Sequence, residues 1–182
     1  MKSVALIFFS TILLFSCASY KQKGIKIKGQ TNLHSINNQD ENVITEENFR
    51  ILPNTQIEYK KDAIGAGYYT LIPGNKTVFI YTLEEKPKNK NLRDAGYKEE
   101  ILFEWEGNLK EMELKDKELS KVNMLVGMHG FFKKAGVFPV TKGYLKIDLP
   151  QKDMMHVYIK IEDPVYMLRK KEIEKEIPLI IK

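Results

Sequence analysis

Six glutamates, at positions 99, 100, 104, 106, 111 and 113, crowd one short stretch of the chain. Two carboxyl groups flanking a cleft are what glycoside hydrolysis requires, one as acid and the other as base or nucleophile. Here the acids alternate with Ile101, Phe103 and Trp105, a pattern that predicts a solvated strand face instead. The three histidines stand at 34, 129 and 156, with no pair at the spacing of a zinc-binding helix. A metal centre would need the fold to gather all three and complete the set with carboxylates, so neither a metal nor a cofactor is expected. Asp148 and His156 could serve as an orienting carboxylate and a base. The expectation is a cross-strand surface ion pair, because both fall on the outward set of an alternating hairpin. The only cysteine is Cys17, and the serines beyond it are Ser19, Ser35 and Ser120, none in a nucleophile elbow. Phosphate-binding and dinucleotide-binding glycine patterns are absent too, and no catalytic residue is assigned.

These residues sit in a chain of 182, with 29 basic and 24 acidic side chains and a net charge of +5. At 43% hydrophobic and 29% charged, the composition excludes a disordered chain, a multi-span membrane protein and a disulfide scaffold. Residues 1–17 read MKSVALIFFSTILLFSC: a basic start at Lys2, an apolar run, then a small residue and the cysteine. That is the layout of a secretory signal, and the run is too short for a permanent membrane span. Leu14-Phe15-Ser16-Cys17 resembles the lipobox of bacterial lipoproteins, with Phe15 departing from the small or β-branched residue usual there. The resemblance implies cleavage after Ser16, a diacylglyceryl group on the Cys17 sulfur and a further acyl chain on the new amino terminus. It covers about the first 20 residues and carries no biochemical activity. Ala18 and Ser19, with no aspartate after the cysteine, look like the outer-membrane sorting of Gram-negative lipoproteins, facing the periplasm. Buried acyl methylenes, at ~0.8 kcal/mol each, would hold a soluble domain on the bilayer. Cleavage removes only Lys2 among the charges and leaves 28 basic against 24 acidic residues. In an oxidising compartment without a second cysteine, the core alone must hold the fold.

Three regions are expected: a signal peptide over residues 1–16, a basic tether over 17–29, and one β-rich domain over 30–182. The tether carries four lysines and no acid between Ala18 and Lys28, and would lie against anionic headgroups or serve as a solubilising linker. Residues 30–48 are polar and read as a long loop. Residues 67–72 and 77–84 read as a hairpin turning at Pro73-Gly74-Asn75-Lys76, with its second strand buried on both faces. A second hairpin joins residues 99–106 to 109–115 across Gly107-Asn108. In the third, parity pairs Ile147 with Val157 and Leu149 with Met155, leaving a five-residue loop and placing His156 opposite Asp148. Residues 117–126 fit either a short helix or a strand, residues 165–168 would continue the sheet, and 177–181 would form a last edge strand. The fold class is mainly β, an antiparallel sandwich or partly closed barrel of about seven to nine strands with at most one or two short helices.

Two segments have the composition of recognition loops. Residues 127–139 hold His129, Phe131, Phe132, Lys133 and Lys134 among three glycines and a proline. Either the two rings plug the core or, because neighbours on an extended chain point to opposite sides, at least one is exposed. Exposure is the expectation adopted, and these five residues form the predicted binding site. Residues 85–98 carry Lys86, Lys88, Lys90 and Arg93 and read as a solvated loop or an attractant for phosphate and carboxylate groups of envelope polymers. Nucleic acid is excluded by the compartment. The sequence therefore predicts a non-catalytic lipid-anchored envelope protein binding a protein, peptide or glycan. A periplasmic hydrolase using unidentified Asp or Glu residues is the alternative.

Overall fold

The computed structural model describes residues 24–37, 42–89, 91, 96–130, 135–164 and 166–181. Ten strands are present among them: β1 (Thr31–Asn37), β2 (Val43–Lys61), β3 (Gly67–Pro87), β4 (Tyr97–Glu106), β5 (Met112–Lys115), β6 (Leu125–His129), β7 (Gly136–Pro139), β8 (Gly143–Gln151), β9 (Met154–Ile161) and β10 (Glu172–Pro178). They form two antiparallel sheets, ordered β1-β2-β3-β4-β6-β7 and β10-β9-β8-β5, and neither closes into a barrel. The expected mainly-β sandwich is what the chain forms. Its interior is one apolar cluster drawn from both sheets: Phe49, Tyr81, Ile101, Phe103 and Val126 from the larger, Leu145, Ile147, Val157, Ile159 and Ile173 from the smaller. At its centre Phe79 and Phe103 stack with ring centroids 4.6 Å apart.

The predicted turn at Pro73-Gly74-Asn75-Lys76 is instead the middle of β3, which runs unbroken for 21 residues. The hairpin lies one strand earlier, where β2 and β3 pair along their length around Asp62 to Ala66. Turn-forming residues are tolerated in β3 because the register breaks there: between the pairs Pro53 with Thr77 and Thr55 with Pro73, Gly74, Asn75 and Lys76 face Asn54 alone, which is left-handed at φ 55°. The bulge bends this long ribbon, and its far half folds over the outer face of the six-stranded sheet. There Ile57, Val78, Ile80, Leu102, Leu125 and Val137 make a second apolar cluster, joined by Tyr59, Tyr69 and Leu71 of the ribbon. Gly67 approaches β7 so closely that a Cβ would lie 1.9 Å from the Val137 carbonyl oxygen. Val78 and Ile80 on one side and Phe79 and Tyr81 on the other are thus all buried, as expected of a central strand.

Other expectations are corrected by sheet geometry. Gly107, at φ 78°, does not close a hairpin but turns the chain from β4 in one sheet to β5 in the other, which pairs with β8. Residues 31–37 and 43–48, read as loop, are strand. The last edge strand, expected over 177–181, is β10 at Glu172–Pro178, while 166–168 lie outside the sheets with Tyr166 and Leu168 buried. The third hairpin keeps its predicted register as far as Ile147 opposite Val157 and Asp148 opposite His156, but the expected pairing of Leu149 with Met155 is not made. A shift past Asp148 then pairs Gln151 with Met154 and shortens the loop to Lys152 and Asp153. Residues 117–126 divide between the two readings, with a 3-10 helix at Asp116–Val122 followed by β6. The described end of the basic segment is docked: Ile25 and Leu109 exchange backbone hydrogen bonds of 2.7 Å, and Ile27 is buried.

Candidate functional site

Successive side chains on a strand face opposite sides, so Glu99 and Glu100 cannot share a face. Both are nonetheless buried, as is Glu104, because β4 is covered by the second sheet on one side and by the folded ribbon on the other. The expected solvated row of glutamates is therefore wrong for these three. Glu106, Glu111 and Glu113 are exposed as expected.

Beneath the ribbon, Glu100 receives the Lys98 ammonium at 2.7 Å, His129 Nε2 at 3.1 Å and the Tyr69 hydroxyl at 3.0 Å. Burial works against its ionisation, yet these partners outweigh it and hold the carboxyl at about 2. Glu104 receives the Lys76 ammonium at 2.6 Å and the Ile57 amide at 2.8 Å, the latter tying the ribbon to the sheet. On the inner face, Glu99 accepts from the amides of Arg169 and Lys170 at 2.8 and 3.0 Å and from the Tyr97 hydroxyl. Here burial prevails and its pKa is raised. Two strands away on the same face, Glu47 is only partly buried; burial works to raise its pKa, but Lys170 and Lys175, at 2.6 and 2.9 Å, hold it down.

Hydrolysis by a carboxylate pair needs both groups to reach one substrate from the same space. Glu99 and Glu100 are divided by the sheet, and Glu100 and Glu104 are each engaged by their own donors. These carboxylates clasp structure: Glu100 and Glu104 hold the ribbon down, while Glu47 and Glu99 hold residues 169–175 against the larger sheet.

One open surface lies at the end of the larger sheet where β4 begins. Lys98 pairs with His129 across β4 and β6, which brings together the edges of the two segments singled out by composition. They line a shallow groove of about 240 Å³ with Glu84, Lys86, Gly96, Tyr97 and Gly130. At its side, the Arg169 guanidinium lies 4.4 Å from the centre of the Tyr97 ring and pairs with Glu85. Sequence reasoning missed this contribution from the far end of the chain, since nothing local links residues 97 and 169. The adjacent acids Glu99 and Glu100 did carry a signal, because in a sheet covered on one face one of two neighbours must point inward.

Of the predicted binding residues, His129 stands at the groove. Phe131, Phe132, Lys133 and Lys134 lie outside the described residues, as does Cys17. His156 sits between Glu174 at 2.9 Å and Asp148 at 3.5 Å on the outer face of the smaller sheet, the surface arrangement expected. His34 lies 2.8 Å from the Asn48 side-chain oxygen on β1 and β2. The three histidines are thus not brought together, and among the described residues no group of His, Cys, Asp and Glu is arranged to hold a metal ion. No known protein family, no curated protein and no solved structure matches this chain.

Proposed function

We propose that the protein is a non-catalytic, lipid-anchored component of the cell envelope, facing the periplasm from the outer membrane and binding a protein, peptide or glycan at the groove where β4 begins. The observation that carries this reading is the convergence of residues 84–86, 96–98 and 129–130 on one surface. Recognition concentrates on loops held by a rigid scaffold, and this groove lies on the two-sided core of the larger sheet. Its charged groups suit a polar partner: Lys86 and Lys98 are half in water, and Lys133 and Lys134 follow four and five residues after His129 in the sequence. The internally satisfied carboxylates support binding over hydrolysis.

The reading has two separable parts. A clickable fatty acid fed to cells should label the wild-type chain and leave Cys17→Ser unlabelled; label on the variant would remove the anchor. Replacing Phe131, Phe132, Lys133 and Lys134 with small polar residues should abolish recovery of the envelope partner and leave the melting temperature nearly unchanged. Unfolding of the variant would make that segment core and defeat its assignment as contact surface.

A further inference from the structure

The pairing of residues 24–29 with distant parts of the chain gathers lysines that the sequence keeps apart. Ile25 is bridged to Leu109, and the amides of Lys28 and Gly29 donate to the Ile180 carbonyl at 2.9 and 3.1 Å. The fit is close at both ends of the segment. A Cβ on Gly24 would lie 2.8 Å from the Leu109 carbonyl oxygen, and one on Gly29 2.3 Å from the Ile180 side chain. Lys26 and Lys28 are therefore held on a structured face. Lys152, in the β8–β9 turn, lines one surface hollow with both of them and an adjoining hollow with Lys110.

All four lysines are exposed, and among the described residues no carboxylate lies within 4.0 Å of their ammonium groups. On the sheet faces the pattern differs, as in the pairs Lys146 with Asp148 and Lys160 with Glu162. Ile25 and Ile181, partly exposed, and Ile180, 48% exposed, sit among the four lysines. The acids of the adjoining turns are Asp153 and Glu111, too few to cancel the charge.

We infer that the face carrying Lys26, Lys28, Lys110 and Lys152 rests on an anionic lipid bilayer. The inference builds on the reading of Cys17 as lipidated and adds an orientation to it. Seven residues lead from Cys17 to Gly24 and span at most about 25 Å, and the chain enters the domain through this face. Lys21 and Lys23 lie on that lead, so the positive charge continues toward the membrane. Basic residues within a Debye length of an anionic leaflet are attracted to it, and the isoleucines suit the interfacial zone. β4 starts at the groove and ends three residues before Leu109, which pairs with Ile25, so the strand's ten residues, about 30 Å, separate groove from bilayer. The groove then faces away from the membrane that holds the protein.

The test uses the full lipidated chain in vesicles of phosphatidylcholine alone or mixed with phosphatidylglycerol, footprinted with an amine-reactive reagent and read by mass spectrometry. Exposed Lys61 and Lys117 serve as references. In anionic vesicles the four lysines should label about fivefold more slowly than the references. The protection should vanish in phosphatidylcholine and in high salt, and Lys110→Ser with Lys152→Ser should weaken it at Lys26 and Lys28. Equal labelling in both vesicles with lipid present on Cys17 overturns the face and leaves the anchor standing. A Cys17 without lipid overturns the anchor, and labelling in anionic vesicles then still decides the face.

Discussion

Glu104→Leu is expected to destabilise the domain by about 3 kcal/mol, at the low end for breaking a buried ion pair. The carboxylate joins the Lys76 ammonium at 2.6 Å and the Ile57 amide at 2.8 Å. Leucine restores most of the volume, so the loss isolates the polar contacts. Lys76 is partly exposed and can turn to water, which moderates the cost. The Ile57 amide cannot, and a buried donor without a partner costs about 1–3 kcal/mol. For a domain of this size the melting temperature should fall by roughly 10 °C. Because the amide belongs to the ribbon, hydrogen exchange should accelerate first along residues 55–61 and 67–73. Glu106→Leu, on the same strand at an exposed position, should shift stability by less than about 0.5 kcal/mol. Equal effects from the two substitutions would show that the ribbon does not cover this face.

The second large effect depends on pH. Glu100 is held at about 2 against an ordinary value of 4.5, so its ionisation favours the folded chain. A carboxyl depressed in the folded state contributes stability that is complete above the unfolded value and lost as pH falls through the folded one. The difference corresponds to about 3 kcal/mol. Glu100→Gln should therefore be destabilised by that order at pH 7, with the gap from wild type closing between pH 4.5 and 2. Glu99, the neighbour on the opposite face, is shifted upward by burial, and its contribution has the reverse sign: stability falls as pH rises through its ionisation. Chemical denaturation of wild type, Glu100→Gln and Glu99→Gln separates the two, because the Glu100 effect lies below pH 4.5 and the Glu99 effect above it. A constant gap for Glu100→Gln would mean that its carboxylate is not held by Lys98, His129 and Tyr69.

What the sequence made legible were features decided locally. The third hairpin followed from parity, since a one-residue slip would turn Leu145, Ile147, Val157 and Ile159 out of the core. The double-sided burial of residues 78–81 followed in the same way. The burial of Glu100 and Glu104 was hidden because it depends on a ribbon that bends at Asn54 and returns over strands distant in sequence. Proline and glycine at 73 and 74 suggested a turn, but their place in a strand rests on a bulge that they and residues 75–76 enter opposite Asn54. Gly107 suggested a hairpin because a turn within a sheet and a step between sheets use the same left-handed glycine. Of the site, the two basic segments were visible from composition, but their meeting at one groove required the pairing of β4 with β6, and the Arg169 stack required the smaller sheet.

Binding at the groove is the centre of the functional reading, and a crosslinking experiment can capture a partner whose identity is still open. A photocrosslinking residue is placed at Lys86 or Gly96, both exposed at the groove, and at Lys61 or Lys117 as controls, in intact cells. Adducts to the same envelope partner should form from positions 86 and 96 and be absent from 61 and 117. No adduct from either groove position, or the same adducts from all four, would contradict the assignment of this surface as the binding site.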